Sequence, residues 1–190
     1  RTRAVMAGSA SSAAVMRVRQ AEAPESARRR ARAAAWARKV EGIVGALYNL
    51  GAHLMKLLLA TGNEHKAREL GALLGSLRLE LATLKDFPAV PPVVEDGRTL
   101  VENAVKKALE PAMATGLWAL ADDTGLEVEA LGGRPGVMSA RYAGPDCDFA
   151  ANCRKLLAEL EGVPPQNRRA AFRTVVALAS PQGMVQCREG

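Results

Sequence analysis

The sequence predicts an α/β fold in which helices flank a mixed β-sheet. Two observations lead to this prediction. Short apolar runs bounded by glycine, proline or aspartate are typical of buried strands, and segments whose apolar residues recur every three or four positions are typical of helices. Because both kinds of segment alternate along residues 56–190, we expect parallel strands joined by helices.

The first strand and the first helix are predicted on either side of a glycine turn. Lys56–Ala60 is short and apolar, which is typical of a buried parallel strand. After the TGN tripeptide at 61–63, apolar residues recur at helical spacing until Gly75, and glycine commonly ends helices. A second strand is predicted over Leu77–Leu84, and a proline-rich loop over 85–97 follows it.

The second helix is predicted to begin after Thr99, which together with Glu102 has the spacing of a capping box. Pro111 is expected to end or kink this helix, because proline lacks the backbone N–H that the helical ladder needs. The next strand, LWALA at 117–121, is expected to end at the two aspartates that follow it.

The remaining elements are predicted to be a short strand, a helix and a strand pair. LEVEALGGRPG at 126–136 alternates briefly and then turns, and Asp148–Glu161 is amphipathic and helical. Ala170–Ala179 and Met184–Cys187 predict two strands joined through Ser180–Gly183. The chain is expected to stop inside this strand pair, which would leave unpaired sheet edges that favour aggregation.

Residues 1–54 are predicted to form a basic extension that is disordered or partly helical, ahead of a folded domain over 55–190. The extension is rich in alanine, arginine and serine and poor in large apolar side chains, so it can bury little surface. Residues 1–55 hold 10 Lys+Arg against 3 Glu, whereas residues 56–190 hold 16 Lys+Arg against 17 acidic residues. The net charge of +6 therefore belongs to the extension, and the rest of the chain has no electrostatic reason to bind nucleic acid.

Three interpretations of the extension stay open. It is a targeting segment, a weak binder of RNA or anionic lipid, or a leader upstream of a natural start at Met55. No run of about 18 apolar residues occurs, so no membrane span is expected. The three cysteines form no CxxC pair, which indicates a reducing compartment, and His53 and His65 are too few for a zinc site.

The turn after the first strand is a candidate phosphate-binding site. Backbone N–H groups at the start of a helix favour an anion, and Gly62 lets the backbone approach a ligand closely. Thr61 and Asn63 offer polar side chains, and Lys66 adds a positive charge one turn into the helix. The alternative is an ordinary turn with a surface lysine, and the local pattern leaves both open.

Acidic residues follow at three later points, where they are candidate Mg²⁺ ligands. Glu95 and Asp96 end the proline-rich loop, Glu102 lies in the first turn of the second helix, and Asp122 and Asp123 follow a strand. Mg²⁺ prefers one or two carboxylates together with phosphate oxygens. The alternatives are a helix cap for Glu102 and a solvated turn for the paired aspartates.

Two further points stay open at this stage. Asp-Thr-Gly also occurs in aspartic proteases, but that interpretation needs a second such motif and leaves the phosphate-binding turn unexplained. If Glu102 faces the site, Lys106 shares its face of the second helix, whereas Lys107 lies about 140° round the helix. Either lysine can reach a phosphate, and either can face the solvent.

Four stretches, in this order, are similar to the family of inosine triphosphate pyrophosphatases, also called Ham1-like. They are LATGNEHKARELGALL, EDGRTLVENAVKKA, ALADDTGLEVEALGGRPGVMSARYAG and NCRKLLAEL, and the resemblance extends over about residues 56–190. It implies Mg²⁺-dependent hydrolysis of ITP, dITP and XTP to the monophosphate and pyrophosphate, which removes deaminated purines from the nucleotide pool. It also implies an elongated, two-lobed mixed sheet, a homodimer and a cytoplasmic location.

The resemblance also implies roles for particular residues. Glu95 and Asp123 resemble the metal ligands of the family, Asp123 is also the implied proton acceptor, and Glu102 is implied to support the metal or its water. Lys107, rather than Lys106, resembles the helix lysine that contacts the phosphates. The implied substrate-binding residues are Thr61, Gly62, Asn63, Glu64, His65, Lys66, Lys107 and Thr124.

One departure from the family pattern affects base recognition. The family continues with a Phe-Gly-Tyr-Asp stretch, a later lysine and a Ser-His-Arg motif, and this sequence contains none of these. The chain therefore resembles the N-terminal two-thirds of the family's domain, truncated at its C-terminus, with the phosphate and metal half retained. Two alternatives to an active enzyme stay open: an inactive nucleotide-binding remnant, and a module that binds RNA or membranes through its basic extension.

Overall fold

A computed structural model describes residues 38, 40, 42–45, 56–75 and 79–190 of the chain. They belong to the second of the two units into which the chain divides, Ala37–Gly190. Within it, residues 38, 40 and 42–45 are helical, and Val40, Ile43 and Val44 are fully buried. The expectations for most of the N-terminal extension, including those on Met55 and His53, lie outside the described residues.

The main regular elements among the other described residues are six strands and three α-helices, with short 3-10 turns between them. The strands are β1 Lys56–Leu59, β2 Glu80–Thr83, β3 Trp118–Val128, β4 Pro135–Gly136, β5 Ala170–Ala179 and β6 Val185–Glu189; the helices are α1 Glu64–Leu74, α2 Leu100–Thr115 and α3 Phe149–Glu159. In the part of the chain that is described, no helix is both long enough and apolar enough to cross a bilayer.

The strands form one mixed sheet in the order β2-β1-β3-β5-β6, with β4 paired to β3, so the predicted fold class is confirmed. β1 is parallel to β2 and β3, whereas β5 is antiparallel to both β3 and β6. From β1 the chain moves to β2, which lies beside β1 at the edge of the sheet, and it then returns past β1 to β3 on the other side. Because such crossovers are right-handed, α1 and α2 lie on opposite faces of the sheet, and the carboxyl end of β1 is a topological switch point.

Helix α2 covers one face of the sheet with small apolar side chains. Its apolar positions recur every fourth residue, and alanine allows the helix to pack closely on the strands. The buried cluster comprises Leu100, Ala104, Ala108 and Ala112 of α2 with Leu58, Ala60, Ala82, Ala119, Ala121, Val175, Ala177 and Ala179 of the sheet. This packing fixes the rotation of α2, and therefore which of its polar residues face the end of β1.

Helix α2 begins as predicted but continues past Pro111, so of the two predicted effects of this proline, an end or a kink, the end is wrong. Thr99 caps the helix, its side chain accepting a hydrogen bond from the Glu102 N–H, and Gly116 in the left-handed region ends it. Pro111 is buried, and its carbonyl accepts a 2.7 Å hydrogen bond from the Thr115 hydroxyl. Burial of this apolar residue, together with a cap at each end, offsets the one hydrogen bond that proline cannot make.

Strand β3 does not end at Asp122 and Asp123, as the sequence predicted, but runs through both of them to Val128. β5 pairs with it over ten consecutive residues, from Ala119↔Ala179 to Val128↔Ala170, and this ladder keeps the aspartates in extended conformation. They are only 4% and 8% exposed, which rules out the interpretation of a solvated turn. The predicted strand pair, by contrast, is confirmed, with β5 at the predicted bounds and β6 beginning one residue later and ending two residues later than predicted.

Replacing Gly125 with alanine is expected to lower the free energy of unfolding by about 3 kcal/mol, because the β3–β4 contact leaves no room for a methyl group. A Cβ at Gly125 would lie 2.4 Å from the carbonyl oxygen of Gly136 and 3.1 Å from the Leu100 side chain. Urea unfolding measures the loss. The matched control is Gly71→Ala within α1, where the nearest atom is 3.7 Å away and alanine favours the helix. Equal stability of the two variants would contradict this packing.

Candidate phosphate and metal site

The candidate site lies where β1 ends and β3 continues. The Ala60 N–H donates to the Leu120 carbonyl at 2.8 Å, which is the last bond between the two strands. Beyond that point the chain leaves β1 through the turn at 61–63, while β3 runs on into Asp122 and Asp123. The turn and both aspartates are therefore neighbours at the switch point of the sheet, where open α/β proteins bind ligands.

Polar side chains in the turn hold its own backbone. The Asn63 N–H donates to the Thr61 hydroxyl at 3.2 Å, and the Lys66 N–H donates to the Asn63 side-chain oxygen at 3.3 Å, so Asn63 acts as a helix cap for α1. Gly62 is exposed, with open space where a Cβ would lie. Glu64 forms an ion pair with Lys85, and the His65 side chain lies outside the described part of the chain.

Lys66 pairs with Asp122. The ammonium nitrogen lies 2.5 Å from Oδ2 of Asp122, whose side chain is almost fully buried, whereas the Lys66 side chain is 36% exposed. The Thr124 hydroxyl lies 3.3 Å from the same carboxylate oxygen and 3.0 Å from the hydroxyl of Thr174 on β5. Nothing in the local sequence indicates the role of Thr174, because it enters the site through the β3–β5 register.

Lys107 pairs with two carboxylates. Its ammonium nitrogen lies 2.8 Å from Oδ1 of Asp123 and 3.2 Å from Oε2 of Glu95. The main chain of Glu95 is held in turn by Arg141, whose guanidinium donates to the Glu95 carbonyl at 2.7 Å. The sequence did not predict this contact, because Arg141 lies 46 residues from Glu95 along the chain.

The charge of Lys107 is stabilised by its partners. Burial disfavours the ammonium, but the hydrogen bonds and negative charges of Asp123 and Glu95 outweigh burial and raise the pKa of Lys107 above its ordinary value of 10.5. Because the folded pKa is raised, the stabilisation that the Lys107 charge contributes from neutral pH upward is complete below about pH 10.5 and is lost as the pH rises further. Lys107 is therefore cationic throughout the neutral range.

The two aspartates face opposite sides of the sheet. Side chains alternate along a strand, and Ala119 and Ala121 pack in the cluster beneath α2, so Asp123 shares that face and Asp122 points away from it. Lys66 and Lys107 therefore reach neighbouring residues of β3 from the two faces. The structure brings Lys107, Glu95 and Asp123 together on the face that α2 covers, and it pairs Lys66 with Asp122 on the other face. The turn and the candidate metal ligands Glu95 and Asp123 therefore lie at the same end of the sheet but on different faces.

The two adjacent lysines of α2 have different partners. Lys106 pairs with Asp96 at 2.6 Å on the solvent side, and Asp96 is 66% exposed. Glu102 lies in the cap of α2, where its carboxylate accepts a hydrogen bond from the Arg98 N–H at 2.5 Å, which agrees with the capping interpretation. Of these two lysines, only Lys107 contacts Asp123, on the face of β3 that α2 covers.

The chemistry of Glu95 and Asp123 fits Mg²⁺. Among the described residues no group of three or more potential metal ligands occurs, so the protein does not form a full cage for a cation there. Both carboxylates nevertheless contact one ammonium, which means that they converge on a common point. Two converging oxygen ligands match the habit of Mg²⁺, which takes few protein carboxylates and completes its shell with water and phosphate oxygens.

The fold and the site define an α/β protein of the class that binds phosphorylated ligands at a switch point of its sheet. Comparison with known proteins then identifies the family. Residues 57–190 match the profile of the Ham1 family, and the chain belongs to that family.

Two relatives and one solved structure illustrate the similarity. The chain is 54% identical over 140 residues to the dITP/XTP pyrophosphatase of Elusimicrobium minutum, covering 72% of this chain and 71% of the relative. It is 54% identical over 130 residues to the dITP/XTP pyrophosphatase of Geobacter sulfurreducens, covering 68% of this chain and 65% of the relative. A HAM1 protein from Coxiella burnetii superimposes with a TM-score of 0.67 at 38% identity, over 72% of this chain and 70% of that one.

Proposed function

We propose that the chain hydrolyses nucleoside triphosphates of deaminated purines, namely ITP, dITP and XTP, to the monophosphate and pyrophosphate. Membership of the Ham1 family and relatives named dITP/XTP pyrophosphatase support this activity. The single observation that carries it is the convergence of Glu95 and Asp123 on the Lys107 ammonium, at the same end of the sheet where the turn at 61–63 leaves β1. Cations and carboxylates at one switch point suit a polyphosphate better than a neutral ligand.

The lysines and the turn bind the polyphosphate in this proposal. Lys66 and Lys107 neutralise phosphate charge from the two faces of β3, and the N–H groups at the start of α1 add hydrogen bonds. Thr61, Gly62 and Asn63 shape the turn, while Glu64 and His65 belong to the same substrate-binding segment. Thr124, on β3 beside Asp122, is the proposed substrate contact from the sheet.

Glu95 and Asp123 hold Mg²⁺ in the proposed enzyme. When bound, the cation withdraws charge from the phosphate oxygens and assists the departure of the leaving phosphate. Lys107 contacts both carboxylates, and its ammonium would be available to the phosphates if Glu95 and Asp123 held a cation instead. Glu102 has a supporting role at most, because its carboxylate is engaged in the cap of α2.

Asp123 is the proposed proton acceptor. A water oxygen attacks one phosphorus of the α–β anhydride, the bridging oxygen leaves with the other phosphate, and the water proton passes to the Asp123 carboxylate. Asp123 is suited to this role because it is largely shielded from bulk water and is held by Lys107. We also propose a homodimer in the cytoplasm, as in the family that the sequence resembles; size-exclusion chromatography with light scattering tests the dimer.

A pyrophosphate-release assay tests the function. With Mg²⁺, the chain is expected to release pyrophosphate from ITP and XTP faster than from ATP, and EDTA is expected to abolish release. Comparison of ITP with ATP also measures whether the chain discriminates between bases, since the family's base-binding motifs do not occur in this sequence. Nucleotide binding without pyrophosphate release would contradict the enzyme and favour a nucleotide-binding protein.

A further inference from the structure

The Asp122 carboxylate is the one acid of the site for which the proposed reaction has no task. It is 4% exposed, and its Oδ1 atom is buried without a hydrogen-bond partner among the described residues. Its Oδ2 atom contacts both the Lys66 ammonium at 2.5 Å and the Thr124 hydroxyl at 3.3 Å. A buried carboxylate in which one oxygen lacks a hydrogen bond lowers the stability of the fold. A functional role would therefore explain why Asp122 is present.

The contacts around Asp122 form a directed chain. Since the carboxylate can only accept, the Thr124 hydroxyl donates to it, and the single proton of Thr124 is then used. The hydroxyl of Thr174, 3.0 Å from that of Thr124, therefore donates to Thr124. The hydrogen bonds run from Thr174 on β5 through Thr124 to the Asp122 carboxylate on β3, which also accepts a hydrogen bond from the Lys66 ammonium of α1.

We infer that Asp122 is a positioning residue that holds the Lys66 ammonium at the end of the turn, ready for the polyphosphate. This inference rests on the proposed function, because it assigns Lys66 to the phosphates. A lysine side chain is long and flexible, and Lys66 is partly exposed, so it would otherwise sample many rotamers. The buried carboxylate, itself oriented by the two threonines, removes that freedom before the ligand arrives.

Charge and positioning predict opposite results, which makes the inference testable. A carboxylate beside an anion site repels the anion, so charge alone predicts that Asp122→Asn strengthens polyphosphate binding. Positioning predicts that the same substitution weakens binding, because a neutral amide holds the ammonium less firmly than a carboxylate does. Asparagine keeps the size of the side chain, so packing changes little.

The experiment is a double-mutant cycle on the full chain with Asp122→Asn, Lys66→Met and the combination of the two. Isothermal titration with inorganic tripolyphosphate in the presence of Mg²⁺ measures affinity, and thermal unfolding confirms that each variant is folded. Asp122→Asn alone is expected to weaken tripolyphosphate binding by about tenfold. In the Lys66→Met background it is expected to cause no further weakening, since the residue acts through the lysine.

Thr174→Val extends the cycle without changing any charge. Removing the hydroxyl that donates to Thr124 is expected to weaken binding by a smaller factor than Asp122→Asn, and again only when Lys66 is present. If Asp122→Asn weakened binding equally in both backgrounds, or strengthened it when Lys66 is present, the inference would be overturned. Because the readout is tripolyphosphate binding, failure of the inference is distinct from failure of the proposed function, which would appear as no pyrophosphate release by the unmodified chain.

Discussion

Asp123→Asn is expected to lower pyrophosphate release from ITP by about 100-fold or more. Asparagine keeps the shape of aspartate, but its amide cannot accept the water proton and is a weak ligand for Mg²⁺. The Asp123 side chain is only 11% exposed, so bulk water cannot easily replace the lost base. The measurement is steady-state turnover with saturating ITP and Mg²⁺, together with thermal unfolding of the variant.

Asp96→Asn is the matched control for this substitution. Asp96 follows Glu95 directly, but its side chain is 66% exposed and pairs with Lys106 on the solvent side. The same chemical change there is expected to leave turnover within about twofold of the unmodified chain, because exposed ion pairs contribute little. Turnover by Asp123→Asn equal to that of the control would show that another group accepts the proton.

Lys107→Met is expected to destabilise the protein in the absence of divalent cations and to increase its response to Mg²⁺. The substitution leaves Asp123 and Glu95 facing each other without a cation, one of them largely buried. Removing one partner of a buried ion pair costs about 3–5 kcal/mol, and partial exposure of Glu95 reduces this to about 2 kcal/mol. That loss corresponds to a fall in melting temperature of about 5 °C for a chain of this size.

Mg²⁺ is expected to reverse much of that loss, because it then enters between two carboxylates without displacing an ammonium. Thermal unfolding at about pH 7.5, with and without about 10 mM MgCl₂, measures the rise in melting temperature that Mg²⁺ binding causes. Lys106→Met, which changes the adjacent lysine on the solvent side, is expected to respond to Mg²⁺ as the unmodified chain does. An equal Mg²⁺ response in all three proteins would place the cation elsewhere.

Local patterns in the sequence were sufficient for much of the fold. The apolar run, turn and helix around 56–75 were predicted because each depends on neighbours a few residues away. Thr99 was correctly predicted as a cap for the same reason, since the residue that it caps lies three positions along the chain. The predicted strand over Ala170–Ala179 is also confirmed as β5, because the apolar residues of this segment are by themselves typical of a buried strand.

The errors occurred where distant contacts override a local signal. Pro111 is a helix breaker by propensity, yet it is buried within α2, which continues past it. Asp122 and Asp123 have low strand propensity, yet pairing with β5 over ten residues keeps them in β3. The register of that pairing cannot be deduced from one sequence.

Local sequence patterns show that the chain alternates strands and helices, and that a glycine turn, two adjacent lysines and several acids are available to a phosphorylated ligand. Which lysine pairs with which acid depends on the three-dimensional fold. Because β3 runs straight through its paired aspartates, successive side chains must point to opposite faces, and so Asp123 meets Lys107 while Asp122 meets Lys66. This division between the two faces follows from the pairing of β3 with β5, which lies some 50 residues further along the chain. No local sequence pattern encodes that pairing.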